Sequence, residues 1–417
     1  MTSSRPFPER SNKGDQPDLI IIGGGASGLA AACIAAGRGR RVLLLEGRDR
    51  VGKKLLATGN GRCNLMNAGI PRYFGQADFA MQVLRHCSQD KVLSFFHGLG
   101  LNTMQDGDLV YPATLQAASV LEALRLPIEG NPLVQIVTGA NVTAITQRSG
   151  GFTLRSEDGR TFSAPRVIAA AGGPAQPRLS GSDSLFPALK SLGHRLIPTR
   201  PALTALMTDK GAVRGLKGLR LPAICTLCDE KGNPVDASSG EVIFGEDSVS
   251  GVCVMQLSSR AGELLLQGGK PFLYLDFSPL LGLAPRLQER VSLQVPGINR
   301  GRVLSSLKER AALLGRDNML IGALPRLLRE RLENLSIEAL ADKLSALRLP
   351  VLGLRGWDHA QVAAGGFDTD DVDPATMQSR LVPGLFLTGE LLNVDGDCGG
   401  HNLLFAWASG ILAGENV

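Results

Sequence analysis

The sequence has little that would place the protein in a membrane. Only residues 19–37 form an uncharged run long enough to cross a bilayer, for which roughly 18 apolar residues are needed. Glycine occupies five of these positions, and most of the glycines are grouped as in a turn rather than spread along a helix. The run therefore predicts a strand, a turn and a helix, and we reject a membrane span.

A secretory signal is also lacking. Residues 1–17 are polar, contain proline and have no apolar core, which predicts a disordered leader. Seven cysteines in a chain without such a signal are expected to be reduced thiols in the cytoplasm. Cys225 and Cys228 form a C-x-x-C without a second pair, so we expect them to pack in a strand rather than bind zinc, which takes four ligands.

Charge of one sign is not concentrated enough to predict a nucleic-acid surface. Lysine and arginine number 44 against 39 acidic residues, and most of them are scattered. With 44% apolar and 20% charged residues, the 417-residue chain is predicted to be globular, with two or three domains. We therefore expect a small-molecule substrate and no membrane, the scattered charges disfavour a nucleic-acid partner, and we make no prediction of the oligomeric state.

The most informative stretch is a glycine-rich turn between two apolar runs. Residues 19–22 predict a buried strand, an alanine-rich helix follows up to Arg38, and residues 42–45 predict a second strand that ends at Glu46. The turn carries three glycines in G-x-G-x-x-G spacing: Gly23, Gly25 and Gly28. The first permits the tight turn, the second lets a pyrophosphate approach the backbone, and the third lets helix and strand pack closely. This pattern predicts a dinucleotide site in which Glu46 accepts the ribose hydroxyls.

Two further segments are expected to lie along an extended cofactor. Residues 47–67 contain four glycines and three asparagines, which favours a shaped loop with Arg62, Asn64 and Asn67 as donors. Near Gly400 a second helix begins, and its dipole would stabilise the negative charge that a flavin ring gains on reduction. His401, at this helix start, either exchanges protons with substrate or makes only a structural contact, and the sequence leaves both open.

The order of the predicted elements indicates an α/β protein with an inserted middle. We predict a discontinuous cofactor-binding domain at residues 18–190 and 350–417. A buried strand in it ends at Gly172, where the chain must turn under the nucleotide, so Gly172 is also expected to bind the cofactor. Short alternating runs at residues 191–284 predict a β-barrel-like insertion, and amphipathic periodicity at residues 285–349 predicts a small helical subdomain. Residues 78–99 and 115–124 are expected to be helical, and residues 133–145 to be one strand.

Five segments carry a resemblance to a known family. They read IIGGGASGLAAA, KLLATGNGRCNLMN, LVYPATLQAASVLEAL, LGHRLIPTRPAL and TGELLNVDGDCGGHNLLFAWASG. Together they resemble the BaiN/YhiN-like family of FAD-dependent flavoproteins over about residues 18–417. The resemblance implies a two-dinucleotide-binding-domain-type FAD (Rossmann-like) domain with an inserted β-barrel and a small helical subdomain. Some members are described as aminoacetone oxidases or as reductases of conjugated bile-acid enones.

The resemblance also implies a set of FAD-binding residues. The ADP half would be held by Gly23, Gly25, Ala26, Ser27, Gly28 and Glu46, with Val142 against the adenine. The pyrophosphate and flavin would lie along Lys54, Gly61, Arg62, Cys63 and Asn64. The ribityl chain and ring would be held by Gly389, Glu390, Asp395, Gly400, His401, Asn402 and Leu403.

One stretch departs from the family pattern. Where members commonly read F-T-H-x-G-x-S-G-P, residues 244–252 read FGEDSVSGV, with Glu246 at the histidine position and Val252 at the proline position. The family's substrate therefore does not transfer safely to this chain, nor does the sequence say whether Glu246 and Asp247 replace that histidine.

These observations predict a cytoplasmic FAD-dependent oxidoreductase that moves a hydride between a small organic substrate and flavin N5. Because only one G-x-G-x-x-G is present, no separate nicotinamide domain is expected. Either the substrate reduces the flavin, as in an amine oxidase using oxygen, or NAD(P)H does so as a diffusible reductant. The alternative is a flavin-binding sensor without activity or an RNA-associated flavoprotein.

Overall fold

The computed structural model describes residues 16–283 and 291–417. Residues 1–15 of the predicted leader, and the start of the predicted helical subdomain up to residue 290, lie outside the described residues. The chain forms two compact units: the described residues up to Thr199 together with Val362–Val417, and the described residues of Arg200–Gln361. The predicted division into an FAD domain, an insertion and a helical subdomain stays a prediction.

The strands and helices are numbered here in chain order. The strands are β1 Leu19–Ile22, β2 Val42–Leu45, β3 Met66–Asn67, β4 Tyr73–Gly75, β5 Thr103–Asp106, β6 Leu109–Pro112, β7 Val134–Val137, β8 Val142–Arg148, β9 Gly151–Ser156, β10 Thr161–Ala164, β11 Arg166–Ala169, β12 Leu196–Ala202, β13 Leu206–Met207, β14 Arg220–Cys228, β15 Pro234–Phe244, β16 Ser248–Ser250, β17 Phe272–Asp276, β18 Leu347–Pro350, β19 Gly353–Leu354, β20 Val362–Phe367, β21 Leu385–Leu387 and β22 Val394–Gly396. The α-helices are α1 Ala26–Gly37, α2 Lys53–Ala57, α3 Ala77–His86, α4 Gln89–Gly98, α5 Ala117–Glu129, α6 Phe186–Ser191, α7 Lys210–Val213, α8 Val252–Gln256, α9 Ser258–Leu266, α10 Arg300–Leu314, α11 Arg326–Leu332, α12 Ile337–Ser345 and α13 His401–Asn416.

A five-stranded parallel sheet organises the first unit. Its order is β21-β11-β1-β2-β7, and all four pairings are parallel. Every residue of β1 and β2 is buried, which matches their uninterrupted apolar sequences, because parallel strands are covered on both faces. The strands predicted at residues 19–22 and 42–45 are confirmed.

Helices α1 and α13 pack closely beside this sheet. A Cβ atom added to Gly410 would lie 2.3 Å from the Ser27 carbonyl oxygen, and one added to Gly414 would lie 2.8 Å from that of Ala31. Both pairs advance by four residues in the same direction, so the two helices run parallel with glycine at their contact. Glycine permits this approach because any side chain would separate the backbones.

Three predictions of secondary structure were incomplete. Residues 47–67 contain α2 and β3 within the predicted loop, because the sequence KKLLA is a good helix former. The helical segment at residues 78–99 is divided into α3 and α4, since Ser88 caps α4 by accepting a hydrogen bond from the Lys91 amide. The single strand predicted at residues 133–145 is β7 and β8, which belong to different sheets and are separated by Gly139 at a φ of 63°.

The second unit contains a seven-stranded antiparallel sheet that closes on itself. Its order is β18-β17-β14-β15-β16-β13-β19, so β18 and β19 form the two edges. Only residues 351–352 separate these edge strands. The Val351 amide donates to the Pro271 carbonyl at 3.0 Å and the Leu352 amide donates to the Met207 carbonyl at 2.9 Å. The strands that close this sheet, at residues 347–354, lie outside the barrel-like insertion predicted at residues 191–284, and α10 and α12 share one apolar core with the sheet.

Replacing a packing glycine tests the helix contact of the first unit. Gly410→Ala should lower the free energy of unfolding by about 1–3 kcal/mol, because its methyl group overlaps the Ser27 carbonyl. Gly301→Ala is the matched control in α10, where a Cβ meets nothing within 4 Å, and it should raise that free energy by about 0.5–1 kcal/mol. Urea unfolding of both variants measures the difference, and equal stabilities would contradict the role of Gly410.

Candidate functional site

The glycine-rich turn between β1 and α1 packs tightly against the sheet but leaves open space at Gly25, where a ligand can approach the backbone. A Cβ on Gly23 would lie 2.4 Å from the Ala170 carbonyl oxygen, and one on Gly28 would lie 1.9 Å from that of Gly23. A Cβ on Gly25 would meet nothing within 4 Å. Gly25 is also the N-cap of α1 and gives no side-chain cap, so the first amides of the helix face open space. This is the arrangement expected of a phosphate cradle.

Glu46 lies at the end of β2 and is only 8% exposed. Its Oε2 accepts a hydrogen bond from the Gly24 amide at 2.8 Å, and its Oε1 accepts one from the Arg48 amide at 2.7 Å. The sequence did not reveal this role, in which Glu46 fixes the shape of the phosphate turn. Because an ionised carboxylate has about four acceptor positions, it can still accept ribose hydroxyls.

The N-terminus of α13 meets the segment that contains β3. Gly400 has a φ of 98°, and a Cβ on it would lie 2.6 Å from the Met66 carbonyl carbon. The Asn67 side chain donates to the Gly399 carbonyl at 3.0 Å, and the Trp407 indole donates to the Leu65 carbonyl at 2.9 Å. These contacts join two segments that the sequence placed separately on the cofactor.

The N-termini of the parallel helices α1 and α13 are offset along the helix axes. Ser27 in the first turn of α1 lies level with Gly410, which follows His401 by nine residues in α13. Since Ser27 itself lies one residue inside α1, the two helix starts are offset by eight residues, which is about 12 Å at a rise of about 1.5 Å per residue. Neither N-terminus has a side-chain cap. The first unit therefore offers two separate places where backbone amides favour negative charge.

Asn402 and His401 occupy the first turn of α13 with different surroundings. Asn402 accepts a hydrogen bond from the Gly396 amide at 2.8 Å and donates one to the Gly396 carbonyl at 2.7 Å, so it closes the DGDCGG loop. His401 is 5% exposed, and its ring meets Tyr73 edge-on at 6.1 Å between centroids. The Tyr73 hydroxyl donates to the His401 carbonyl at 3.0 Å. This burial favours the structural contact for His401, and a proton-transfer role stays a prediction.

Lys54 and Glu390 form an ion pair that the sequence did not predict. The Lys54 Nζ lies 2.7 Å from Glu390 Oε2, and each side chain is 22% exposed. Glu390 Oε1 also accepts a hydrogen bond from the Ala363 amide at 2.9 Å. The lysine charge is therefore held against a carboxylate instead of standing alone beside a phosphate.

The two cysteines of the predicted flavin loops are protonated thiols. Cys63 is buried with a φ of 54°, and burial raises the pKa of its thiol to about 11. Burial, followed by the charge of Asp397, raises the pKa of Cys398. Because the thiolate is the reactive form, neither residue is prepared for redox chemistry at neutral pH.

The other predicted cofactor residues are distributed around the same turns of the first unit. Gly61 and Gly172 have φ values of 83° and 71° and open space where a Cβ would lie. Gly389 contacts Ser27, since a Cβ on it would lie 2.8 Å from Ser27 Oγ. The remaining ones are Ala26 in the first turn of α1, Val142 buried in β8, Asp395 buried in β22, Leu403 in the first turn of α13 and Arg62 exposed after the turn Thr58–Gly61.

These features fit a bound dinucleotide. The buried Oδ1 of Asn64 has no hydrogen-bond partner in residues 16–283 and 291–417, although buried polar atoms are normally paired. The open positions at Gly25, Gly61 and Gly172 leave room for a ligand at the backbone. An amide acceptor, open glycine positions and two uncapped helices match the polar and anionic groups of FAD.

The variant stretch and the C-x-x-C both lie in the second unit. Glu246 forms an exposed ion pair with Lys217 at 3.2 Å, and Asp247 accepts a hydrogen bond from Arg355 at 3.1 Å. Cys225 and Cys228 are both buried in β14. The Cys225 sulfur lies 3.7 Å from that of Cys253, a pairing that the sequence spacing could not reveal.

The phosphate turn, the acid after β2 and the second helix N-terminus define an FAD-dependent oxidoreductase of the Rossmann type. Within this class the chain belongs to the HI0933-like family, because the model described as "HI0933-like protein Rossmann domain" matches residues 17–416. This family assignment confirms the resemblance to BaiN/YhiN-like flavoproteins. Within the described residues, we find no helix with both the length and the hydrophobicity for a bilayer crossing.

Three named relatives match nearly the whole chain. The chain is 37% identical to the 3-dehydro-bile acid delta(4,6)-reductase of Clostridium scindens, over 95% of this chain and 97% of the relative. It is 28% identical to the ribosomal RNA dihydrouridine synthase of Escherichia coli, over 94% of this chain and 96% of that protein. The protein of the same name from Haemophilus influenzae is 24% identical over 94% of this chain and 96% of its own length.

Removing the carboxylate after β2 tests the cofactor site. Glu46→Ala should weaken FAD binding about 10- to 150-fold, because two charge-assisted contacts to ribose and the support of the phosphate turn are lost, roughly 1.5–3 kcal/mol. Glu122→Ala, at an exposed position of α5, is the control. Flavin retained after dialysis measures the effect, and equal retention by both variants would remove Glu46 from the site.

Proposed function

We propose that this protein reduces a carbon–carbon double bond that is conjugated with a carbonyl group, using NAD(P)H as the diffusible reductant. The observation that carries the proposal is the 37% identity to a named bile-acid reductase along almost the full length of both chains. Reduction is chosen over amine oxidation because all three reported relatives are named for products or reactions of reduction.

The two named activities have one chemical feature in common. A 3-oxo steroid with double bonds at positions 4 and 6 is an enone extended by a second double bond. Uracil, which becomes dihydrouracil on reduction, carries its reactive double bond beside a carbonyl group. In both substrates the carbon at the far end of the conjugated system accepts a hydride, because the carbonyl oxygen accepts the negative charge.

The residues of the first unit would divide the binding of FAD among themselves. The α1 N-terminus and Gly25 would hold the pyrophosphate, and Glu46 would accept the ribose hydroxyls. The α13 N-terminus would favour negative charge on the ring, while Asn64 offers its buried amide oxygen. FAD, when bound, supplies the hydride acceptor and donor of the reaction. The chain's own contribution is orientation and electrostatic stabilisation.

NAD(P)H would act at this same site. The chain contains a single G-x-G-x-x-G pattern, so the sequence gives no sign of a separate domain that would bind NAD(P)H. We propose a cytoplasmic location as well, because all seven cysteines lie in the described residues and none forms a disulfide.

A uracil base in RNA is the second candidate substrate. It is favoured by the two relatives named ribosomal RNA dihydrouridine synthase, each matching 94% of this chain. The scattered basic residues of the sequence favour a small molecule instead. Binding of ribosomal RNA that weakens steeply with added salt would support the second candidate.

Anaerobic absorption spectra of the flavin test the proposal. NADPH or NADH should bleach the oxidised flavin bands, and a 3-oxo-4-ene steroid or unmodified ribosomal RNA should then restore them. The acceptor that restores the bands identifies the substrate class. Bleaching by aminoacetone instead, with peroxide formed when air is readmitted, would show an amine oxidase and overturn the proposal.

A further inference from the structure

Strand β6 presents one half-exposed face beside the α13 N-terminus. Along β6, Val110 and Pro112 are buried, whereas Leu109 and Tyr111 are partly exposed. Alternate residues of a strand point to the same face, so Leu109 and Tyr111 lie on one side of β6. A Cβ on Gly399 would lie 3.4 Å from the Leu109 Cδ2 atom. Tyr111 therefore belongs to the face that the DGDCGG loop touches.

The segment that carries Arg62 runs beside the same strand. Met66 pairs with Val110 in antiparallel register, and the Leu65 amide donates to the Val110 carbonyl at 2.7 Å. This register sets Leu65 level with Tyr111, and Arg62 lies three residues before Leu65 in the chain. Cys63 is buried whereas its neighbour Arg62 is exposed, so the guanidinium stands on the open side. Three segments of the first unit thus bring Arg62, Tyr111 and the residues before α13 together.

Both side chains have donor groups that the fold itself does not use. Within the described residues, the Tyr111 hydroxyl makes no hydrogen bond and the Arg62 guanidinium makes neither a hydrogen bond nor an ion pair. By contrast, Tyr73, the other tyrosine near α13, donates to the His401 carbonyl. Two unused donors beside the predicted flavin loops are available to a ligand.

Electrostatics favours a donor role for Tyr111. Burial and then the charge of Asp106 raise the pKa of its hydroxyl, although Arg62 opposes them. The hydroxyl is therefore protonated at neutral pH and can donate.

We propose that Arg62 and Tyr111 bind the carbonyl oxygen of the substrate and stabilise the negative charge that develops on it. This inference rests on the proposed function and moves Arg62 from the cofactor to the substrate. A hydride that originates in NAD(P)H bonds to the β-carbon, the double bond breaks, and its electron pair passes through the α-carbon to the oxygen. The pair on the oxygen then re-forms the carbonyl bond as the α-carbon takes a proton from water, which leaves hydroxide, and NAD(P)⁺ is the oxidised product. Donors aimed at an oxygen that gains charge lower the barrier of such a step.

Binding of a phenol tests this pair without turnover. The anion of 4-chlorophenol resembles an enolate, so calorimetry of the FAD-loaded protein with 4-chlorophenol measures the proposed oxygen site directly. Tyr111→Phe and Arg62→Met should each weaken binding about tenfold or more, because one hydrogen bond to a charged oxygen is lost. Tyr274→Phe and Arg148→Met, a half-buried tyrosine in β17 and an exposed arginine at the end of β8, are the matched controls.

The same variants separate the substrate from the cofactor. Tyr111→Phe and Arg62→Met should retain FAD and be bleached by NADPH as the parent is, while reoxidation by the enone slows at least tenfold. Loss of FAD from Arg62→Met, failure of the parent to bind 4-chlorophenol, or equal binding by parent and variants would overturn the proposal. If the parent binds the phenol through both residues but reduces no enone, the proposed function fails and the oxygen site stands.

Discussion

The backbone contact between α1 and α13 is the constraint on which the cofactor site depends. Ser27 and Gly410 approach so closely that no side chain fits between the two helices. Because the helices are parallel and in fixed register, the distance between their N-termini is fixed as well. The turn before α1 and the start of α13 are therefore fixed relative to each other, although almost the whole sequence separates them.

Polar contacts fix the shapes of the loops beside the N-termini of α1 and α13. Glu46 fixes the turn after β1 through the Gly24 amide, and Asn402 closes the loop before α13. Asn67 and Trp407 then join that loop and helix to the segment around β3. Each contact satisfies a backbone group that would otherwise be unpaired at a site where the chain leaves regular structure. These contacts help to hold the loops in position.

The sequence predicted the features whose physical causes are local. Gly23 follows from a turn that needs a positive φ, Gly25 and Gly28 follow from the space that a ligand and the neighbouring backbone require, and the apolar strands follow from burial on both faces. The ion pair of Lys54 and Glu390 could not be predicted, because the partners are 336 residues apart and their proximity depends on the completed fold. The same applies to Cys225 and Cys253, which meet only when α8 packs on the barrel. The prediction of one helix over residues 78–99 was wrong because hydrophobic periodicity does not detect the break at Cys87 and Ser88 between α3 and α4.

Closure of the barrel by residues 347–354 has a consequence for synthesis of the chain. Strands β13 and β17 each lack one neighbour until β18 and β19 have been made, many residues later in the sequence. During that interval their unpaired amides and carbonyls are open to pairing with other chains. Once β18 and β19 are in place, those groups are satisfied within the unit. We therefore expect the barrel to be most prone to aggregation during synthesis, before β18 and β19 pair with β17 and β13.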